Sequence, residues 1–325
     1  LDKEPMTEML KGNEKIMYLQ KNTADSWEEG VSAQAPDIVI HAAWQIRELY
    51  GQRPLQWKWN VEGSDKVFDF AFSSPSVKKL IYFSTVASYG SFKENSTEHR
   101  FTEDESLRQT DYLYAEEKRL TEEHLKKRYE KAKGKRLMPQ VFVVRPAAIT
   151  GPRGRLDRIR FGLQAALSGN LRGQKSILYD FISLWVSWVP VTPKWLRQYV
   201  HEDDVTNIID LLSFSDLEGG YEVFNLAPPG EVVFGKDMAA AVGKRMLLIY
   251  PWMVRLAFFF VWHLTWGRIP TSRGSWKGYS YPIAVDGSKL TRTYGYEYQY
   301  PSLDAFQYTD GEYEEFVPKP HRRSK

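Results

Sequence analysis

The sequence predicts an α/β fold, a doubly wound parallel sheet followed by a smaller, mostly helical lobe, on three observations. Short apolar runs at 37–43, 79–83 and 140–146 lack the apolar/polar alternation of half-exposed strands and read as strands covered on both faces. Between them lie helical patterns, Val67, Phe68, Phe70 and Ala71 in the first gap and about Tyr112 to Lys131 in the second. After Gly151-Pro152-Arg153-Gly154 the regular alternation stops. Residues 1–150 are therefore expected as one domain and 151–325 as a second lobe.

Each element has a local reason. Asp37-Ile38-Val39-Ile40-His41-Ala42-Ala43 ends in small residues, as a buried strand does when its carboxyl end delivers the chain to a site. Asn60-Val61-Glu62-Gly63-Ser64 leads into the first helix, and Pro75 stops it. Lys79-Leu80-Ile81-Tyr82-Phe83 runs into Ser84-Thr85-Val86-Ala87-Ser88-Tyr89-Gly90, and Gln140 to Val144 runs into Arg145-Pro146. Two aromatic-rich stretches follow, Ile177 to Trp195 and Tyr250 to Trp266. The second falls short of the roughly 20 apolar residues of a membrane span and carries Arg255. It is expected as a buried helix of the second lobe, with a helix lying on a membrane surface as the alternative.

Composition narrows the function. At 42% hydrophobic and 26% charged the chain has the balance of a folded protein. A net charge of +3, from 44 basic and 41 acidic residues, gives no support to nucleic-acid binding. The cluster Lys126, Lys127, Arg128, Lys131, Lys133, Lys135 and Arg136 reads as the solvated end of a helix, where cations match the dipole. With no cysteine, disulfides, thiolate catalysis and thiolate metal sites all fall away. A cytoplasmic setting is expected, since no charged and apolar leader pattern is found at the start, with membrane association through 250–266 as the other option. His201-Glu202-Asp203-Asp204 is not expected to hold metal, because consecutive side chains cannot converge from one strand or helix. There is no His-Glu-x-x-His, Walker loop or Gly-x-Ser-x-Gly elbow.

Tyr114-Ala115-Glu116-Glu117-Lys118 sets a phenol and an ammonium four residues apart, one turn along the same helix face. A lysine beside a tyrosine stabilises the phenolate and is expected to lower a pKa that starts near about 10, letting the phenol exchange protons with an alcohol.

Taken in chain order, six segments resemble the landmarks of the extended short-chain dehydrogenase/reductase family, the branch of NAD-dependent epimerases, dehydratases and 3-beta-hydroxysteroid dehydrogenases. They are Asp37 to Ala43, Asn60 to Ser64, Ser84-Thr85 to Tyr89-Gly90, Tyr114 with Lys118, Arg145 to Pro152, and Tyr199 to Val205. The resemblance implies a Rossmann-like fold, with 199–227 returning to the first domain. It makes Tyr114 the general acid/base, Lys118 the holder of the nicotinamide ribose, and Thr85, with Ser84 as fallback, the hydroxyl that orients the reacting oxygen. His41, Ala42, Ala43, Pro146 and Ile149 would line the cofactor, with Asn60 supporting that wall. Asp2 would sit at a strand end and bind the adenosine ribose hydroxyls, which favours NAD over NADP, and Asn22 and Thr23 would lie near the adenine.

The sequence departs from that family in having no Gly-x-x-Gly-x-x-Gly, with Gly12 and Gly30 the only glycines before Gly51. The first strand and its phosphate-binding loop are expected to be missing from an incomplete chain, which should then bind dinucleotide weakly. The expected substrate is a small molecule with a secondary alcohol. A nucleotide sugar comes first, because Arg153, Arg155, Arg158 and Arg160 suit a diphosphate. A sterol-like molecule suiting the tryptophans is the alternative, and a non-catalytic scaffold is the rival from another class. The resemblance also implies a homodimer through paired helices, including the one that carries Tyr114.

Overall fold

Strand residues of alternate parity sort onto opposite faces of a parallel sheet, and both faces are covered. The computed structural model describes residues 1–7, 10–134, 138–152, 188–241, 244–307 and 311–317. In chain order the first half contains α1 (Glu28–Ser32), β1 (Ile38–His41), α2 (Arg53–Trp57), α3 (Gly63–Ser73), β2 (Lys79–Phe83), α4 (Leu113–Ala132) and β3 (Gln140–Pro146). Further on come β4 (Ala148–Thr150), β5 (Trp188–Val191), β6 (Leu196–Arg197), β7 (Tyr199–His201), α5 (Glu202–Phe214) and β8 (Tyr221–Leu226). Then follow β9 (Val233–Phe234), α6 (Gly235–Ala241), β10 (Arg245–Leu248), α7 (Pro251–Leu264), α8 (Ser275–Ser280) and α9 (Ser288–Tyr294).

The main sheet runs β1-β2-β3-β8 with every pair parallel. On one face Leu80, Tyr82, Val141 and Val143 pack against Val67, Phe68, Phe70 and Ala71 of α3 and Leu125 and Tyr129 of α4. On the other, Ile81, Phe142, Val144, Phe224 and Leu226 pack against Ile208 and Leu212 of α5 and Leu290 of α9. The doubly wound architecture predicted from the apolar runs is therefore the one observed.

Two buried polar contacts fix α4, a helix rich in charge. Arg145, at the end of β3, lies against Glu122 of α4 with its Nε 3.2 Å from both carboxylate oxygens, and both side chains are buried. The same guanidinium donates to the Tyr89 hydroxyl at 2.6 Å, and that hydroxyl lies 2.9 Å from Asn225 Oδ1 on β8. The second contact is made by Glu117, whose Oε2 accepts from Asn60 Nδ2 at 2.7 Å and Gln56 Nε2 at 3.3 Å. Asn60 lies in a π-helical turn, Lys58–Glu62, between α2 and α3. It also holds Gln45 from both sides, accepting from its N at 2.7 Å and donating to its O at 3.0 Å. The segment leaving β1 is thus tied through one amide to α4.

The stretch at 250–266 corrects an expectation. It forms the helix α7, yet only Val254 and Trp262 are buried, while Trp252, Phe259, Phe260 and Trp266 are 62%, 57%, 56% and 73% exposed. One side packs near α8, where Phe258 meets Tyr279, and the other side has no covering layer among the described residues.

Truncating one partner of the buried pair leaves a charge uncompensated. Arg145→Met alone and Glu122→Leu alone are each expected to cost about 3 to 5 kcal/mol, and the double variant to recover most of that loss, as read by urea unfolding. Burial pushes the Glu117 carboxyl up to about 7 from 4.5, against the hydrogen bonds of Asn60 and Gln56. The folded state therefore holds this proton more tightly than the unfolded state. The stabilisation is full below the unfolded value and is lost as pH rises through about 7. Glu117→Gln keeps the acceptor and removes the ionisation, so it should flatten the pH 5 to 8 stability profile and gain about 1 to 3 kcal/mol at pH 8. A variant losing stability with pH as steeply as the parent contradicts this.

Candidate active site

Parallel pairing brings the carboxyl ends of the four strands to one edge, with His41 opposite Tyr82, Phe83 opposite Val144 and Pro146 opposite Leu226. Ser84 and Thr85 leave β2 there. Thr85 is extended and buried, and its Oγ1 caps the short 3-10 turn Val86–Tyr89 by accepting from Ala87 N at 3.2 Å. Tyr114 stands in the first turn of α4 and is half-buried. Burial raises its pKa, and a hydrogen bond from the Thr85 hydroxyl opposes that rise. The Thr85 hydroxyl is thus the side-chain group that acts on the Tyr114 phenol.

Lys118 follows one turn later and is buried. Its ammonium donates to the Phe83 carbonyl and lies 3.7 Å from the centre of the Trp44 ring and 4.9 Å from that of Tyr82. Burial holds it well below the usual lysine range, with Glu122 and Glu117 pulling it back up. The lowering of the Tyr114 pKa by Lys118, expected from their spacing, is not seen in this geometry. Desolvation of the phenol wins, and the hydrogen bond that opposes it comes from Thr85.

A cleft of about 480 Å³ opens beside this edge, lined among others by Asp2, Asn22, Thr23, Ala42, Ala43 and Asn60. These six residues, read from distant parts of the sequence, share one wall system. Asp2 forms a parallel bridge with Gln20, and its Oδ1 accepts from Glu4 N at 3.0 Å. Thr23 is pressed against the start of α3, where a Cβ on Gly63 would come within 2.4 Å of Thr23 Oγ1. Glycine there allows the close approach.

His41 is placed differently from a cofactor-facing imidazole. Its Nε2 lies 2.7 Å from Ser64 Oγ, its ring stacks on Tyr82, and burial together with the Lys118 charge lowers its pKa to about 3. It is a neutral core histidine. Pro146 ends β3 and Ile149 lies in β4 opposite Val200 of β7, so both are at the edge but outside the cleft lining. Arg153, Arg155, Arg158 and Arg160, and residues 177–187 of the first aromatic stretch, lie outside the described residues. Sequence reading missed Glu117, Gln56, Gln45 and Trp44. Glu117 carried a signal, since it falls three residues after Tyr114 on the same helix face.

Two buried polar atoms near this edge, Ser84 Oγ and Trp44 Nε1, have no hydrogen-bond partner among the described residues. Among curated proteins no sequence matches the chain. Several solved structures share its fold. The Bordetella bronchiseptica enzyme WbmG, in complex with NAD, is 18% identical with a TM-score of 0.66, covering 97% of this chain and 85% of that one. UDP-glucose 4-epimerase from Thermotoga maritima, with UDP-glucose, is 20% identical with a TM-score of 0.63, covering 94% and 87%. The dTDP-glucose 4,6-dehydratase of Bacillus anthracis, in complex with NAD, is 15% identical with a TM-score of 0.61, covering 92% and 80%. The model of the NAD dependent epimerase/dehydratase family matches residues 2–227, and by that match the chain belongs to this family.

Proposed function

We propose that the protein oxidises and reduces a secondary alcohol carbon of a nucleotide sugar, with NAD as cofactor and Tyr114 as the proton-transfer group. The observation that carries this reading is the placing of Tyr114 and Lys118 one turn apart on the inward face of α4, with the Lys118 ammonium on the Phe83 carbonyl where β2 runs on into Ser84 and Thr85. Support for the sugar comes from relatives of the same fold, whose substrates and ligands include UDP-glucose and UDP.

The residues present fit the adenosine end of a dinucleotide. Asp2 offers a carboxylate suited to ribose hydroxyls and unsuited to a 2′-phosphate, and Ala42 and Ala43 leave room along the wall of the cleft. When bound, NAD supplies the hydride acceptor and donor that no amino-acid side chain can provide. The chain supplies the rest. Tyr114, as the phenolate, would take the substrate hydroxyl proton as the carbonyl forms and, as the phenol, would return it in the reverse step. Thr85 donates to the phenol oxygen, which stabilises the phenolate and orients it. Lys118 presents ammonium donors from the same helix face, held in place by the Phe83 carbonyl. The bond from Asn60 to Gln45 keeps the wall after β1 at a fixed distance from α4.

A second reading, an apolar secondary alcohol, is favoured by one observation. The segment after β1 touches the aromatic helix α7, where the Tyr50 ring lies 5.5 Å from Trp262 and 5.7 Å from Trp266.

Tyr114→Phe is expected to lower kcat by roughly 10² to 10⁴, the usual share of a general acid/base, while NAD binding stays within about twofold in calorimetry, since the lost group acts on the proton. Undiminished turnover of this variant would remove the proposed role. Assays with UDP- and dTDP-sugars against sterols separate the two substrate readings. Net NADH accumulation with sterols and no turnover of either sugar class would replace the sugar reading with the apolar one.

A further inference from the structure

Helix α7 is apolar but for Arg255 and His263, and a helix so rich in apolar residues needs a cover beyond one face. The protein covers one side. Val254, Phe258, Val261 and Trp262 recur at helical spacing and are buried or half-buried. The opposite stripe, Trp252, Met253, Leu256, Phe259, Phe260 and Leu264, is 40% to 78% exposed. The apolar surface continues into the preceding strand, where Met246, Leu247 and Leu248 of β10 are 50%, 40% and 52% exposed. Contiguous exposure on this scale marks an interaction surface.

Charge identifies what covers it. Between Asp237 and Asp286 the chain carries Lys244, Arg245, Arg255, Arg268, Arg273 and Lys277 and no aspartate or glutamate. Arg245, Arg255, Arg268 and Arg273 are exposed. A second copy docking by the same face would set arginine against arginine, whereas an anionic lipid surface would meet opposite charge. The order of side chains agrees. Tyr250 and Trp252 stand at the start of α7, Trp266 just past its end, and the bulk of leucine and phenylalanine lies between. Helices that lie in an interface bury Trp, Phe and Leu along one face, the residue types this exposed stripe carries. Fourteen residues rise about 21 Å, too short to cross the hydrocarbon core, and among the described residues no helix is long and apolar enough to span a membrane.

We infer that α7 and the β10 segment dock the protein onto an anionic lipid surface, with α7 lying in the plane of the interface. The docked helix adjoins the catalytic side of the molecule. Tyr50 OH lies 3.0 Å from His263 Nδ1, and a Cβ on Gly267 would come within 2.8 Å of Tyr50 Cβ, so the segment after β1 and the end of α7 are in tight contact. This inference stands apart from the substrate, because it rests on the exposed face and not on Tyr114.

Flotation of the full chain with phosphatidylcholine vesicles, with and without phosphatidylserine, tests it. The chain is expected to float with the serine-lipid vesicles and to be released progressively by salt. The variant W252S/F259S/F260S should lose flotation while keeping its circular dichroism spectrum, because all three side chains are exposed. The variant R245Q/R268Q/R273Q keeps the aromatic face and should bind the serine-lipid vesicles about fivefold more weakly per charge removed. Wild-type chain that stays at the bottom of the gradient with serine-lipid vesicles, or an aromatic variant that floats like wild type, overturns the inference. It is equally overturned by a dimer in light scattering that W252S/F259S/F260S dissociates, without flotation of the parent, since the face would then belong to a second copy.

Discussion

A charged helix cannot pack against a sheet unless its charges are answered one by one, and in this protein the answer for α4 is Arg145. The guanidinium reaches from the end of β3 to Glu122 and, through the Tyr89 hydroxyl, to Asn225 on β8. One side chain thereby ties the helix that carries Tyr114 to two neighbouring strands and to the turn that carries Thr85. An apolar residue at 145 could fill the volume but would leave Glu122 buried and alone, which is the costlier state.

The same helix face explains the neighbourhood of Lys118. Tyr114, Glu117, Lys118, Thr121 and Glu122 are half-buried or buried together, an inward stripe made mostly of polar groups. Each is handled differently. Glu117 is pushed towards the protonated acid by burial while Asn60 and Gln56 donate to it, Glu122 pairs with Arg145, and Lys118 rests on a carbonyl and two aromatic faces. A face so composed is expensive to form, and the directional partners of Glu117, Lys118 and Glu122 leave those three side chains little freedom. Restricted freedom of this kind suits the proton transfer proposed for Tyr114.

How much of this was legible in the sequence follows from the same chemistry. The sheet was legible, because β2 and β3 are covered on both faces and therefore carry uninterrupted apolar runs. So was the grouping of Asp2, Thr23, Ala42, Ala43 and Asn60, because the resemblance carried their order along the chain. The partners of those residues were not legible. Gln45 meets Asn60 through its backbone, which no side-chain pattern encodes. His41 looked available because it ends a strand pointing at the site, yet the alternation of the pleat turns its ring towards Ser64 and Tyr82. The pKa of Tyr114 was misjudged from spacing alone, since i to i+4 places two groups on one face but does not aim Nζ at the phenol. Phe83 O competes for the ammonium, and only coordinates show it.

Helices α4 and α7 together show why residue type does not by itself decide burial. The charged helix is inside because Arg145 and Asn60 offer partners there, and the aromatic helix shows half its surface because no described element offers it a second apolar layer. The two are mechanically linked. Asn60 fixes Gln45 to α4, while five residues later Tyr50 is wedged against Trp262, His263 and Gly267. The short segment from Trp44 to Tyr50 therefore runs from Lys118 to the exposed aromatic helix. One end of that segment lies against α7, and the other carries the ring on which Lys118 rests.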